Sequence, residues 1–317
     1  MDWLSVAVTS RTDLAEGVAG FTLSSSGERE LPSWQSGAHI DVRLPSGLVR
    51  QYSLCGSHED RSSYSIAVQK EAAGRGGSRE IHERMTVGRT LEISAPRNRF
   101  GLRDAESYLF IAGGIGITPI LPMVEECIKR GKPWQLVYGG RSRSTMAFIE
   151  RVEAWGTGVT LWPQDEVGLI DFESIEHHPG TSGVYVCGPP ALIEATQIYF
   201  AGEHPADEVH YERFQAMGEA PPVEDESHGF EVQVGVDGPI VDVDENDSIL
   251  HALVRAGHNV PFSCEEGICG TCESRVIDGE PLHCDQILSA SEHADGAILI
   301  CVSRSKSRRL VLELDSF

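Results

Sequence analysis

Along the first hundred residues, apolar and polar positions alternate in short runs. Six runs, at residues 5–10, 18–23, 39–43, 49–55, 64–68 and 90–94, have the period of half-buried β-strands. Gly, Pro and Ser separate them, the punctuation of a small antiparallel barrel. Residues 77–85 are the one stretch here that predicts a short helix. From Tyr108 the period changes. YLFIAGG is an apolar strand ending in glycines, and ITPILPMVEECIKRG is a helix that stops at Gly131. Strand QLVYGG, helix TMAFIERVEAW, strand VTLWP, the segment DFESIEHH, strand VYVCGPP, helix ALIEATQIYFAG and strand EVHYERF follow. Strands alternating with helices predict a parallel sheet of βα units. MGEAPPVEDESHG, residues 217–229, is acidic and Pro-rich and reads as a linker. Beyond it, FEVQVGV and PIVDVDE predict a hairpin and SILHALVRAGH a helix. The expectation is a multidomain chain with parts at 1–103, 104–216 and 230–317.

Composition fits this picture. The 317 residues are 40% hydrophobic and 23% charged, enough for two or three ordered domains. No run reaches the roughly 18 apolar residues of a membrane span. The opening MDWLSVAVTSRTDLAEG has an acid at position 2 and no basic stretch, so it reads as a strand and not a signal peptide. The cytoplasm is the expected location. The net charge of −22 makes nucleic acid and anionic membrane poor partners. From Ser227 onward there are 16 acidic and 6 basic residues. Such a surface aids solubility, and it also suits docking of a basic protein.

The chemistry is densest in the cysteines. Cys264-x4-Cys269-x2-Cys272, with Cys301 28 residues further on, has the spacing of a plant-type [2Fe–2S] site. Gly267 and Gly270 let the loop turn its N–H groups toward an anionic cluster. Zinc sites more often show paired C-x2-C knuckles. Cys284 reads as a bystander, and Cys55, Cys127 and Cys187 are scattered. His177 and His178 read as loop residues and not as metal ligands.

Gly113, Gly114, Gly116, Thr118 and Pro119 join a strand to a helix, where backbone N–H groups can meet a pyrophosphate. Two later loops, one with Gly139 and Arg141 and one with Cys187, Gly188 and Pro189, fall at the C-terminal ends of strands. Arg141 suits a ribose or phosphate, or else is a solvated surface residue. Cys187 is a nicotinamide contact, or else a small buried strand-end residue. In the first domain Arg50, Gln51, Tyr52 and Ser53 lie on one strand, suited to a phosphate and a flat ring. The loop from Gly74 through Arg75, Gly76 and Gly77 to Ser78 precedes the short helix and suits an anion.

Taken together these motifs resemble the phthalate dioxygenase reductase and vanillate demethylase reductase family, over essentially the whole chain. The resemblance rests on RxYSL at Arg50, Tyr52, Ser53 and Leu54, on the GRGGS loop, on GGIGITP, on CGP and on the four cysteines. It implies an antiparallel β-barrel flavin domain, an α/β parallel-sheet nucleotide domain and an α+β β-grasp ferredoxin domain. It implies FMN bound by Arg50, Gln51, Tyr52, Ser53, Ala67, Val68, Gln69, Gly76, Gly77, Ser78 and Thr118, with Phe214 over the ring. Gln69 stands where a relative would carry a basic residue. It implies NADH held by the Gly113–Pro119 turn, Gly139, Arg141 and the Cys187 loop. Arg141, Ser142, Arg143 and Ser144 would also suit the 2′-phosphate of NADPH.

The implied activity is hydride transfer from NADH to FMN, then single electrons through the cluster to a terminal Rieske-type oxygenase. The cofactors carry this chemistry, so no protein residue is expected to act as general acid or nucleophile. A monomer is expected. A cytochrome P450 as acceptor, or a non-catalytic redox sensor, are the alternative readings.

Overall fold

The computed structural model describes residues 3–27, 30–71, 76–175, 182–203, 208–214 and 228–314. The 217–229 linker segment, apart from residues 228 and 229, lies outside these, as do Gly74, Arg75, His177 and His178. The chain divides into two compact units, Asp2–Phe214 and Gln215–Phe317.

The first unit opens with strands β1 (Trp3–Ala15), β2 (Val18–Ser25), β3 (His39–Arg43), β4 (Val49–Ser53), β5 (Ser63–Gln69) and β6 (Thr90–Ser94), with helix α1 (Gly77–Arg84) between the last two. They form an antiparallel sheet in the order β4-β3-β6-β1-β2-β5. The two edge strands meet just past β4, where Cys55 N donates to Ser65 O at 2.9 Å. Alternate residues, among them Val6, Val8, Phe21, Leu23, Ile40, Val42, Tyr64 and Ile66, fill the interior.

The sheet that follows is parallel. Its elements are β7 (Ser107–Gly113), α2 (Ile117–Arg130), β8 (Trp134–Gly140), α3 (Ile149–Glu153), β9 (Val159–Pro163), α4 (Gln164–Val167), β10 (Ser182–Cys187), α5 (Pro190–Glu203) and β11 (Glu208–Glu212). The strand order is β11-β10-β7-β8-β9. Every residue of β7 is buried. Tyr108, Phe110 and Ala112 enter the core under α2, while Leu109 and Ile111 enter the core on the opposite face. This two-sided burial is why the strand reads as an unbroken apolar run. Gly131 ends α2 with φ 63, and the Lys132 N–H caps back onto Cys127 O at 3.0 Å.

One helix departs from expectation. TMAFIERVEAW was expected as a single helix, but a 3-10 turn at Arg143–Thr145 precedes a short α3, and Phe148 between them has φ 61. Met146 is buried against Gly140, and Tyr138 Oη donates to Ala147 O at 3.0 Å. Those tertiary contacts outweigh the local helical preference.

Barrel and sheet are fastened to each other. Arg151 donates from Nη1 to Cys55 O at 2.9 Å and from Nη2 to Glu125 Oε1 at 2.7 Å. Glu16 N donates to Ser144 O at 2.8 Å, and Ser36 Oγ donates to Pro122 O at 3.1 Å.

The second unit has its own core, with Phe230, Val232, Leu250, Leu253, Ile298, Leu310 and Leu312 at its centre. Its elements are β12 (Phe230–Val234), β13 (Ile240–Val243), α6 (Ile249–Arg255), β14 (Glu273–Asp278), β15 (Pro281–Leu282), α7 (Ala290–Ala294), β16 (Ala297–Leu299), β17 (Arg304–Ser305) and β18 (Arg309–Glu313). The main sheet runs β13-β12-β18-β14-β16, with β12 and β18 parallel and central, and β15 pairs with β17 apart from it.

Candidate flavin, nicotinamide and cluster sites

The second unit brings the four spaced cysteines together. Cys264 and Cys269 lie on the loop between α6 and β14, and Cys272 immediately precedes β14. Cys301 follows β16. The pairing of Glu273 with Leu299, and the Ile300 N–H on Cys272 O at 3.4 Å, set the last two side by side. Cys264 is within hydrogen-bond reach of Cys269 and Cys301, and Cys301 of Cys272. Backbone N–H groups aim at the sulfurs. Glu266 N donates to Cys264 at 3.3 Å, Thr271 N to Cys269 at 3.4 Å, and the Gly267 N–H reaches Cys301. Four soft donors ringed by amides suit an iron–sulfur cluster. Gly267 holds φ 69, and a β-carbon there would lie 2.7 Å from Val302 Cγ2 and 3.2 Å from Asp285 Cα. The loop is thus wedged against the segment joining its third and fourth ligands. Asp285, whose side chain is fully buried, accepts from Leu288 N at 2.9 Å and is bonded by His293 Nε2 at 2.9 Å. Cys284 lies beside it and outside the ligand set.

In the first unit the turn Gly113–Gly116 and the strand end Cys187–Gly188 meet backbone to backbone. A β-carbon on Gly116 would sit 2.2 Å from Cys187 O, and one on Gly188 would sit 2.9 Å from Gly113 Cα. Thr118 is buried, its Oγ1 donating to Ile115 O at 2.9 Å, and Pro119 sits in the first turn of α2. Gly139, next to last in β8, lies beside β7 and over Ile170, and Arg141 is exposed just beyond the strand. Pro189 is exposed at the head of α5.

The barrel side faces this turn. Gln69 Oε1 comes within 4.0 Å of the β-carbon position of Gly114, next to buried Ala67 and Val68 in β5. Arg50 lies across Gly77, its Nε 2.8 Å from where a β-carbon would be, so its guanidinium stem covers the N-terminus of α1. Ser78 Oγ accepts from Glu71 N at 3.0 Å and closes that loop, with Gly76 capping at φ 91. Arginine and helix N-terminus together make an anion cradle. In β4, Gln51 Nε2 is buried without a partner, the orphan amide expected where a ring is to be bonded. Burial pushes the Tyr52 hydroxyl pKa up. Phe214, 37% exposed, follows β11.

Two residues that sequence reasoning missed complete this site. Glu212 pairs with Cys187 across β10 and β11, and its carboxyl reaches into the barrel, where Ser53 Oγ donates to Oε2 at 3.2 Å. Burial pushes its pKa up to about 8, and the Ser53 bond draws it back a little. His39 in β3 stands 3.9 Å from the other carboxyl oxygen. Burial, then Arg97 and Arg99, hold its pKa down to about 3. The Cys187 thiol is pushed well above its usual range by burial and by Glu212, so it is no nucleophile. An acid inside EVHYERF was the available signal for Glu212, being a charge at the end of a sheet strand. His39 had none beyond being a polar residue in an apolar run.

Residues 234–306 match the 2Fe-2S iron-sulfur cluster binding domain, and residues 110–198 match the oxidoreductase NAD-binding domain. The chain is 39% identical over 304 residues to phenoxybenzoate dioxygenase subunit beta of Ectopseudomonas oleovorans, covering 95% of this chain and 94% of that one. It is 38% identical to vanillate O-demethylase oxidoreductase of Pseudomonas putida, covering 98% and 100%. Among solved structures, phthalate dioxygenase reductase superposes with a TM-score of 0.73 at 34% identity, covering 98% of each chain. An intact type IV self-sufficient cytochrome P450 monooxygenase superposes with a TM-score of 0.87 at 38% identity. This chain spans 41% of that longer protein.

Proposed function

Because the chain belongs to the family of phthalate dioxygenase and vanillate O-demethylase reductases, we propose that it draws hydride from NADH onto FMN. It then passes single electrons through its [2Fe–2S] cluster to a terminal Rieske-type oxygenase. The observation that carries this reading is the convergence of the Gly113–Gly116 turn, the Cys187 strand end and barrel strand β5 in one unit, with four cysteines gathered in the other.

FMN, when bound, takes electrons in pairs and releases them singly. Arg50, Gly76, Gly77 and Ser78 would hold its phosphate, and β4 and β5 its ring. The Gly113–Pro119 turn would hold the nucleotide pyrophosphate, with Cys187–Pro189 alongside the nicotinamide. The side chains here orient reactants and exclude water, and hydride transfer needs that near-contact geometry.

The preference for NADH over NADPH has support in the surroundings of Arg143. Its Nε is bonded to Glu166 Oε1 at 3.0 Å, and its Nη1 is 3.8 Å from Glu153. An arginine already countered by two carboxylates is a poor 2′-phosphate ligand. Replacing both Glu153 and Glu166 by alanine is expected to raise kcat/KM for NADPH about tenfold and to change that for NADH less than about twofold. Steady-state ferricyanide reduction with each nucleotide checks this.

The self-sufficient P450 with a similar stretch supports a second acceptor, a P450 haem. The deciding experiment mixes the purified protein and NADH with candidate Rieske oxygenases and with P450s, and follows oxygen uptake coupled to product. Uptake is expected with an oxygenase of the Rieske type. Negligible ferricyanide turnover with both nucleotides in flavin-loaded protein would sink the reading altogether.

A further inference from the structure

His39 is a buried polar residue with no task in the scheme so far. It pairs across the barrel wall with Ser53, so both side chains leave the same face of the sheet. Glu212 arrives from the other sheet and faces both, with Oε2 on Ser53 Oγ at 3.2 Å and Oε1 3.9 Å from His39 Nδ1. Neither ring nitrogen of His39 has a hydrogen-bond partner, although its side chain is only 3% exposed. A neutral imidazole carries one donor and one acceptor, and burying them unused is costly. The charged and titratable groups around the pair come from every neighbouring element. Arg97 and Arg99 follow β6, and Arg97 is bonded to Asp41 of β3 at 2.6 Å. Cys187 of β10 is the cross-strand neighbour of Glu212. The arginines oppose a positive imidazole, and burial opposes a negative carboxyl. A protonated carboxyl beside a neutral ring meets both demands.

We propose that His39 is a positioning residue for Glu212: the neutral ring accepts the carboxyl proton of Glu212 through Nδ1, which keeps the carboxyl uncharged and its other oxygen on Ser53. Closing the gap requires a shift of about 1 Å. Burial favours the protonated carboxyl of Glu212, up to about 8, and burial with Arg97 and Arg99 favours the neutral ring of His39, down to about 3, so each site independently holds the form that the bond needs. The consequence for the reaction rests on the reading of Ser53 as a flavin-site residue. A hydride carries negative charge into the site, and an uncharged Glu212 does not oppose it, whereas an ionised one does. Hydride uptake should therefore fall as pH rises through the pKa of Glu212.

The test uses the full-length protein with its cofactors and the variants His39→Leu, which keeps bulk and removes the acceptor, and His39→Asn, which restores one. Two readouts are followed. One is the alkaline limb of kcat/KM for NADH-to-ferricyanide turnover. The other is the infrared carboxyl band of Glu212 in the oxidised protein without NADH, identified by its loss in Glu212→Gln. Leucine is expected to lower both apparent pKa values by about one unit and asparagine to return them to within about 0.3 unit. An unchanged pair of values in His39→Leu, even with a lowered Tm, would make His39 a packing residue and overturn the proposal. So would a wild-type band that titrates in the ordinary carboxylate range, a measurement that does not depend on either His39 variant. An infrared shift without a kinetic one upholds the coupling and removes Ser53 and Glu212 from the reacting site.

Discussion

Replacing Cys272 with serine is expected to abolish the visible absorbance of the cluster and to cut electron delivery to any protein acceptor by at least about 100-fold. NADH-to-ferricyanide turnover should stay within about twofold of the wild type. Cys272 is 2% exposed and packs in the core of the second unit, beside Cys301 across the β14–β16 pair. A hard serine oxygen is a weak substitute for a thiolate on iron. Because a bound cluster contributes its binding energy to folding, the second unit should also melt at lower temperature. The first unit has separate cores and ends at Phe214, so its chemistry has no reason to follow. Absorbance, cytochrome or oxygenase reduction, and ferricyanide turnover on one preparation decide the matter. Loss of every activity in protein that still holds flavin would contradict the modular path.

The second large effect is expected at Gly116→Ala. Its φ of −61 suits alanine, so backbone preference is no obstacle. Space is. The added carbon would stand 2.2 Å from the carbonyl oxygen of Cys187 and 2.4 Å from its carbon, atoms fixed by pairing of β10 to strands on both sides. Forcing the two loops apart should cost about 3 kcal/mol, or roughly 6–12 °C in Tm for a unit of this size. The same movement separates the Cys187–Pro189 loop, proposed to lie alongside the nicotinamide, from the Gly113–Gly116 turn. A displacement of about 1 Å there is expected to lower kcat/KM for NADH on the order of 100-fold with flavin still bound. Calorimetry and stopped-flow flavin reduction would report the two effects. Activity within twofold of wild type would show that the contact between these turns is not what aligns the reactants.

The strands, the βα alternation and the four cysteines were legible because each is written in local pattern or spacing. Expected and observed strands in the barrel differ mainly at their ends, as β1 shows by running from Trp3 to Ala15. Helix TMAFIERVEAW misled because Met146 answers to Gly140, a residue on another element, and propensity does not see that contact. The seam between barrel and parallel sheet was invisible for the same reason, since Arg151 and Cys55 lie far apart in sequence. Glu212 and His39 are the sharper case. Each is an ordinary residue on an ordinary strand, and their meaning comes from two sheets converging on Ser53. Arg143 reads as basic in sequence, yet the fold pairs it with Glu166 at 3.0 Å and sets it 3.8 Å from Glu153.

The central strand of the second unit is β18, which lies between β12 and β14 and is the last strand of the unit to be made. On the ribosome, all four cysteines therefore emerge before the sheet that supports them can close. The first unit by then has every strand it needs. The supporting sheet cannot close until β18, which ends at Glu313, has left the ribosome, so the thiols are exposed before their scaffold is complete. Scarcity of iron or sulfide in the cell should then yield a protein that has folded its first unit and is still waiting at the second, a species that can be looked for by limited proteolysis of cells starved of iron.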